Sequence, residues 1–266
     1  SLISLCFTSD NKSIPAEFWL IKSLAYLKLE CGLSALPAGI SNLSNLGSLD
    51  LSGNKFSSFP NNLSSLENLV EIDLNGNNLS RLDRNVLSVK SLSSLYLRRN
   101  KFKEFPEVIA QMGSIGAVDL RDNGMISVPN GMKINSSLKV LSLNNNKLNE
   151  NSLEVGNFQG LQSIGLRKNE FESVPLCLCS LKDLRFLYLS DNDIKGLPDA
   201  FSNLSSLEEL YVDENKIEEI PDQVFIIPSL VELNLSRNKI TKIPKSISLL
   251  RNLELLNLSF NKINSL

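Results

Sequence analysis

An apolar residue returns to the same place every 23 positions along most of this chain, at Leu46, Leu69, Leu92, Ile115, Leu138, Leu161, Leu184, Leu207, Leu230 and Leu253. Two 22-residue units, starting at Leu2 and Leu24, precede them. The consensus reads L-x-x-L-x-L-x-x-N-x-L-x-x-L-P, as in Leu184 to Pro198. Asparagine fills its ninth position in ten of twelve units: Asn54, Asn77, Asn100, Asn123, Asn146, Asn169, Asn192, Asn215, Asn238 and Asn261. Self-similarity at this period excludes an ordinary mixed domain and predicts one array of stacked units over residues 1–266. The twelfth unit stops at Leu266 without a capping repeat, so a segment of a longer protein is expected.

Each part of the unit has a physical meaning. The L-x-L alternation is a short strand, with leucines on one face and variable residues on the other. The asparagine carboxamide offers one acceptor and two donors, which suits the tight turn leaving the strand. Stacking should gather these side chains into a buried ladder. The proline then fixes φ and removes an N–H where the chain turns back. Apolar residues after it, such as Ile40 and Leu43, Leu63 and Leu66, or Ile247 and Leu250, should point inward. The return is too short for a stable helix, so irregular chain or a single helical turn is expected. Strands stack at ~4.8 Å and the return arc needs more room, so the sheet should line a concave face. The expected class is therefore α/β: a curved horseshoe solenoid with a parallel sheet inside and short helical or irregular segments outside. Three places break the rule. Asn151 and Ser152 replace the apolar residue and proline of the Leu138 unit, Asn135 occupies an apolar position, and Cys31-Gly32 shortens the Leu24 turn. The first two are either a local distortion of the convex wall, or a change of curvature or a lateral docking site.

The 23-residue form, as in Leu230 to Leu253, identifies the chain as a leucine-rich repeat protein. It resembles the intracellular leucine-rich repeat proteins of the Ras-pathway scaffold group, and the repeat regions of Roco GTPases and of some phosphatases, kinases and adenylate cyclases. The resemblance implies a cytosolic, protein-binding horseshoe, sometimes joined to a catalytic domain. The cysteine-rich caps of extracellular members are missing from both ends.

Composition narrows function further. The chain has no histidine, which removes Ser-His-Asp and Cys-His nucleophile systems and histidine metal sites. Cys6, Cys31, Cys177 and Cys179 lack zinc-ligand spacing, so no metal is expected. Cys177 and Cys179 are too close in sequence to bond each other comfortably. Four free thiols in a reducing compartment are expected, hence a cytoplasmic protein. Eight N-x-S sequons, Asn42, Asn135 and Asn203 among them, keep secretion as the competing reading. Phe18-Trp19-Leu20-Ile21 is far short of the ~20 residues that span a bilayer, so no membrane insertion is expected. Lys and Arg number 27 and Asp and Glu 29, a net charge of −2, which makes nucleic acid a poor partner. P-loop and G-x-S-x-G motifs are absent, so neither cofactor nor catalysis is expected within these residues.

The third, fifth and seventh positions of each unit should line the open face of the sheet. All four tyrosines, Tyr26, Tyr96, Tyr188 and Tyr211, fall there. Phe186, Tyr188 and Tyr211 should form an aromatic patch of the kind that anchors partners, although strand propensity alone also favours tyrosine there. Charge is zoned: Asp50, Glu71 and Asp73 precede a basic middle of Arg98, Arg99, Arg121, Arg167 and Lys168, and Asp191, Glu209, Asp213 and Glu214 follow it. Either a partner of opposite charge relieves these zones, or Asp119 and Asp122 neutralise the arginines. The predicted partner-binding set is Tyr96, Arg98, Arg121, Arg167, Phe186, Tyr188, Glu209, Tyr211 and Asp213. The expected function is a protein-interaction scaffold in intracellular signalling. The alternatives are a repeat region regulating a catalytic domain elsewhere in the chain, and an extracellular receptor module.

Overall fold

The computed structural model describes residues 2–9, 14–129, 137–154 and 158–264. They fall into two compact units, Ser1–Asn123 and Gly124–Leu266. The first carries strands β1 (Ser4–Thr8), β2 (Tyr26–Glu30), β3 (Ser48–Asp50), β4 (Glu71–Asp73), β5 (Ser94–Tyr96) and β6 (Ala117–Asp119). The second carries β7 (Val140–Ser142), β8 (Ser163–Gly165), β9 (Phe186–Tyr188), β10 (Glu209–Tyr211), β11 (Glu232–Asn234) and β12 (Leu255–Asn257). Within each unit neighbouring strands pair in parallel and in chain order, residue opposite residue one repeat later, so Tyr211 faces Tyr188 and Asp73 faces Asp50. This is the leucine-rich repeat fold that the 23-residue period predicts.

The core is built from the inward strand positions and the return arc. Leu49, Ile72 and Leu95 are fully buried in the first unit, and Leu187, Leu210 and Leu233 in the second. Outward neighbours on the same strands are half-buried, as the alternation requires. The returns form single 3-10 turns, such as Ala38–Asn42 and Asp199–Asn203. A proline precedes most of them and its carbonyl accepts the first turn bond, as from Ile40 N–H at 3.2 Å and Phe201 N–H at 3.1 Å. The Leu69 unit has Asp83 instead, whose carboxylate accepts from Asn85 N–H at 3.0 Å and so caps the turn Arg84–Ser88 by a different route. Ile40, Leu43, Leu63 and Leu66 are buried as expected. Ile247 and Leu250 are only half-buried.

The asparagines form the expected ladder. Asn77 is typical: its Nδ2 donates to Leu74 and Leu51 carbonyls, each at 3.0 Å, and its Oδ1 accepts from Phe56 N–H at 3.0 Å. Each carboxamide thus ties its own turn to the previous repeat. Seven of the ten are buried; Asn123, Asn169 and Asn261 are half-buried.

One regular feature escaped the sequence reading. The residue before each ladder asparagine adopts the left-handed conformation. Gly53 and Gly76 do so without penalty, but so do Arg99, Asp122, Asn145, Lys168, Asp191, Glu214, Arg237 and Phe260, with φ of 53–57°. For these side chains the conformation costs on the order of 1 kcal/mol each. It is held because it aims the N–H at the next strand: Lys168 N–H donates to Ser190 carbonyl at 2.9 Å and Glu214 N–H to Ser236 carbonyl at 3.0 Å. The two glycines were the signal in the sequence.

The irregular Leu138 unit closes without its proline. Ser152 Oγ accepts from Asn149 N–H at 2.8 Å and donates to Asn149 carbonyl at 3.0 Å. Leu153, two residues beyond Asn151, is buried and bridges to Val128, so the apolar contact is shifted along the chain and kept. Asn135 lies outside the described residues. In the Leu24 unit, Gly32 takes φ of +62°, and Cys31 and Leu33 N–H groups both donate to Asn54 Oδ1.

Candidate functional site

The open face of the first unit is largely satisfied by its own side chains. Asp50, Asp73 and Asp119 each accept the backbone N–H two residues on, at 2.8, 2.7 and 3.0 Å, closing the turn after the strand. Asp50 also pairs with Lys28 at 3.1 Å. The basic residues meet acids in the same way. Arg121 clamps Asp119, with its closest contact at 2.6 Å, and Arg98 Nε bonds Asp122. Of the two readings of the basic middle, neutralisation by Asp119 and Asp122 describes Arg98 and Arg121. Tyr96 stands half-buried on β5 between Asp73 and Asp119.

Asp50 and Asp73 titrate in opposite directions although they face each other. Burial alone would raise Asp50, but bonds from Ser52 and Lys28 outweigh it and hold its carboxyl below the usual range. Asp73 is raised, first by burial and then by the charge on Asp50. A group raised on folding contributes stability that is complete below its unfolded pKa, ~3.9, and is lost as pH rises through the folded value. At neutral pH the charge on Asp73 therefore opposes folding. Asn234 and Asn257 occupy the same repeat position and accept the same backbone bond, each at 3.1 Å. Asp73→Asn should consequently raise the thermal midpoint at pH 7, and the gain should vanish below about pH 4. Melting curves across that range check it; an unchanged midpoint at pH 7 would disprove the account.

The open face of the second unit is different. Phe186, Tyr188, Glu209, Tyr211 and Glu232 lie on three adjacent strands, in register, and Asp213 follows β10 by two residues. The Tyr188 and Tyr211 rings pack with centroids 5.3 Å apart, tilted by 41°. Tyr188 Oη donates to Glu209 Oε2 at 3.0 Å, and Ser190 Oγ donates to Asp213 Oδ1 at 2.6 Å. Burial, reinforced by the bond to Glu209, pushes the Tyr188 phenol up to about 12. Tyr211 is raised further by burial and Glu232. Both tyrosines are therefore neutral donors at any physiological pH. Phe186 is half-covered by Arg185, whose guanidinium carbon sits 5.0 Å from the ring centroid. Arg167 is exposed on the strand-leaving turn after β8, and its backbone N–H donates to Asn144 Oδ1 at 2.7 Å. Glu232 is the member of this cluster that the sequence reading missed. Its place opposite Glu209 was readable from the repeat, but its effect on the Tyr211 phenol was not.

Among the described residues no group of three or more Cys, Asp or Glu is placed to hold a metal ion, and no helix is long and apolar enough to cross a membrane. None of the four cysteines is in a disulfide, and Cys31 and Cys179 are buried.

Stacked strand, asparagine turn and proline-led return define a class, the leucine-rich repeat proteins, whose domains serve as protein-interaction modules. Leucine-rich repeat family models match residues 159–217, 205–263 and 45–66. A leucine-rich repeat protein of Leptospira interrogans is 30% identical over 99% of this chain and 74% of its own, with a TM-score of 0.81. The chain belongs to the leucine-rich repeat family. A plant peptide hormone receptor, RGFR1, in complex with RGF2, is 26% identical over 93% of this chain and 46% of its own, with a TM-score of 0.66. The ectodomain of the Arabidopsis thaliana receptor kinase GASSHO1/SCHENGEN3 shares the fold at 24% identity, over 99% of this chain and 39% of its own, with a TM-score of 0.70. A comparison with curated proteins returns no match.

Proposed function

We propose that this chain is a protein-interaction module that takes its partner on the open sheet face of residues Gly124–Leu266, around Tyr188 and Tyr211. The carrying observation is the tilted tyrosine pair, which stands on the face opposite the leucine core. Rigid aromatics on a strand lose little entropy on binding and supply large amphipathic contact area. Tyr96, Arg98 and Arg121 contribute less in this reading, because the two arginines already hold aspartates. Arg167, Glu209 and Asp213 supply charge around the aromatic centre. A scaffold role in cytoplasmic signalling is the finer part of the proposal, and four free thiols support it. The fold is that of a binding module, so catalysis is assigned to none of these residues.

Double replacement of Tyr188 and Tyr211 by alanine should leave a cooperative melt close to that of the wild type and abolish crosslinking to a partner. A photoreactive residue at position 163, on the neighbouring strand, reports the crosslink in native cell material. Identical crosslinking in the double variant would sink the proposal.

The extracellular reading has its own support in the exposed sequon residues Asn42 and Asn203 and in the likeness to a plant hormone receptor. Glycan at either asparagine in native material would select it; unmodified asparagines with four thiols that react once the protein is unfolded would select the cytoplasm.

A further inference from the structure

Two places in the second unit repeat one arrangement: an aromatic ring, a carboxylate and an arginine that satisfies both. Arg185 lies 5.0 Å over the Phe186 ring while its Nε and Nη2 each bond Glu208 at 2.7 Å. Arg237 lies 4.7 Å over Phe260 with its Nε 3.6 Å from Glu214. A third set has the rings and the carboxylates without the cation. Tyr188 with Glu209, and Tyr211 with Glu232, sit on paired strands β9 to β11. None of Glu209, Glu232 and Asp213 enters an ion pair among the described residues. Glu209 and Glu232 are direct cross-strand partners, so like charges face each other at sheet spacing, ~4.8 Å. Asp213 adds a third negative charge on the same strand exit. On the seventh-position column Arg167 is two strands away from Asp213, ~10 Å at that spacing.

We propose that this third set receives an arginine side chain from an extended, basic segment of a partner protein, the guanidinium stacking on the tyrosine pair and bonding Glu209 and Glu232. The proposal rests on the assignment of the partner surface to this face and adds the chemistry of what binds there. Arginine fits better than lysine for a geometric reason. Its planar fork can lie flat on an aromatic ring and still direct N–H groups sideways at two carboxylates, whereas an ammonium is a compact point charge. The Tyr188 hydroxyl holds one oxygen of Glu209 and leaves the other lone pairs for the incoming donor. That bond also fixes the Glu209 carboxylate in place, so little of its side-chain freedom remains to be lost on binding. Anionic partners are disfavoured by the same three charges.

The test uses the whole chain and a fluorescein-labelled, blocked glycine-serine peptide carrying two arginines, read by anisotropy at low salt. Three comparisons decide it. A peptide with citrulline in place of arginine keeps the shape and loses the charge, and should bind at least ~10-fold more weakly; a lysine peptide should fall between the two. The double variant Glu209→Gln, Glu232→Gln keeps an acceptor for the Tyr188 hydroxyl and should weaken the arginine peptide by ~10-fold or more. Glu67→Gln, exposed in the first unit, should leave it unchanged. Melting curves of the glutamine variants establish that the fold is intact. Equal binding of arginine and citrulline peptides, absence of binding, or indifference to the glutamine pair would overturn the proposal. So would a concentration-dependent dimer of the chain that the glutamine pair abolishes, since the arginine would then come from a second copy. If the peptide fails while the position-163 crosslink still depends on Tyr188 and Tyr211, the arginine assignment alone falls and the partner surface stands.

Discussion

Asn215→Ala is expected to destabilise the protein by about 3 kcal/mol, far more than loss of a surface asparagine would. Its carboxamide donates to Leu189 carbonyl at 3.0 Å and Val212 carbonyl at 3.1 Å, and accepts from Ile194 N–H at 2.9 Å. The two carbonyls keep a second donor, because Asn192 also bonds Leu189 and Asn238 also bonds Val212. Ile194 N–H loses its acceptor in a buried place. The loss is then one orphaned buried donor, ~1–3 kcal/mol, plus the weakened carbonyl bonds. Asn261 makes the same set of bonds but is half-buried, so water can replace its carboxamide. Asn261→Ala should therefore cost clearly less than Asn215→Ala. Urea unfolding of both variants measures the difference, and equal losses would refute the view that burial gives the ladder its strength.

Phe201→Ala should cost about 3–5 kcal/mol. Phe201 is fully buried in the middle of the 3-10 turn Asp199–Asn203. Its removal takes away a whole ring from the packing between strand and return, and a turn held by Pro198 and Leu204 backbone bonds cannot collapse far into the gap. Leu176, at the start of the turn Leu176–Ser180, is 68% exposed, and Leu176→Ala should change stability by less than about 0.5 kcal/mol. The same urea curves would detect it, and a loss at Phe201 no larger than that at Leu176 would contradict the placement of the core.

The class of fold was legible because a repeat states its rule many times. Alternation about Leu187 and Leu210 places the strand, and the asparagine at a fixed offset places the turn. Tyr188 and Tyr211 had no inward position to occupy, so their exposure to the open face followed from periodicity. The charged residues were less legible. Arg98 and Asp122 are 24 residues apart, and Arg121 folds back on Asp119 two residues away. Alternation brings such groups to one face but does not choose which pair will meet. Asp50 and Asp73 turned out to close their own turns, which a column of residue names cannot distinguish from a surface awaiting a partner.

The amino-acid sequence by itself determined the stacking: twelve strands, the ladder, and which side chains leave the core, since these depend only on spacing along the chain. Tertiary structure alone decided which of those outward groups remain available. Left-handed turns at residues such as Lys168 and Glu214, Arg185 seated over Phe186, and Tyr188 bonded to Glu209 all depend on groups brought together across neighbouring repeats. Hydrogen bonds and ring contacts are won or lost over fractions of an ångström, a scale that a repeat pattern does not specify.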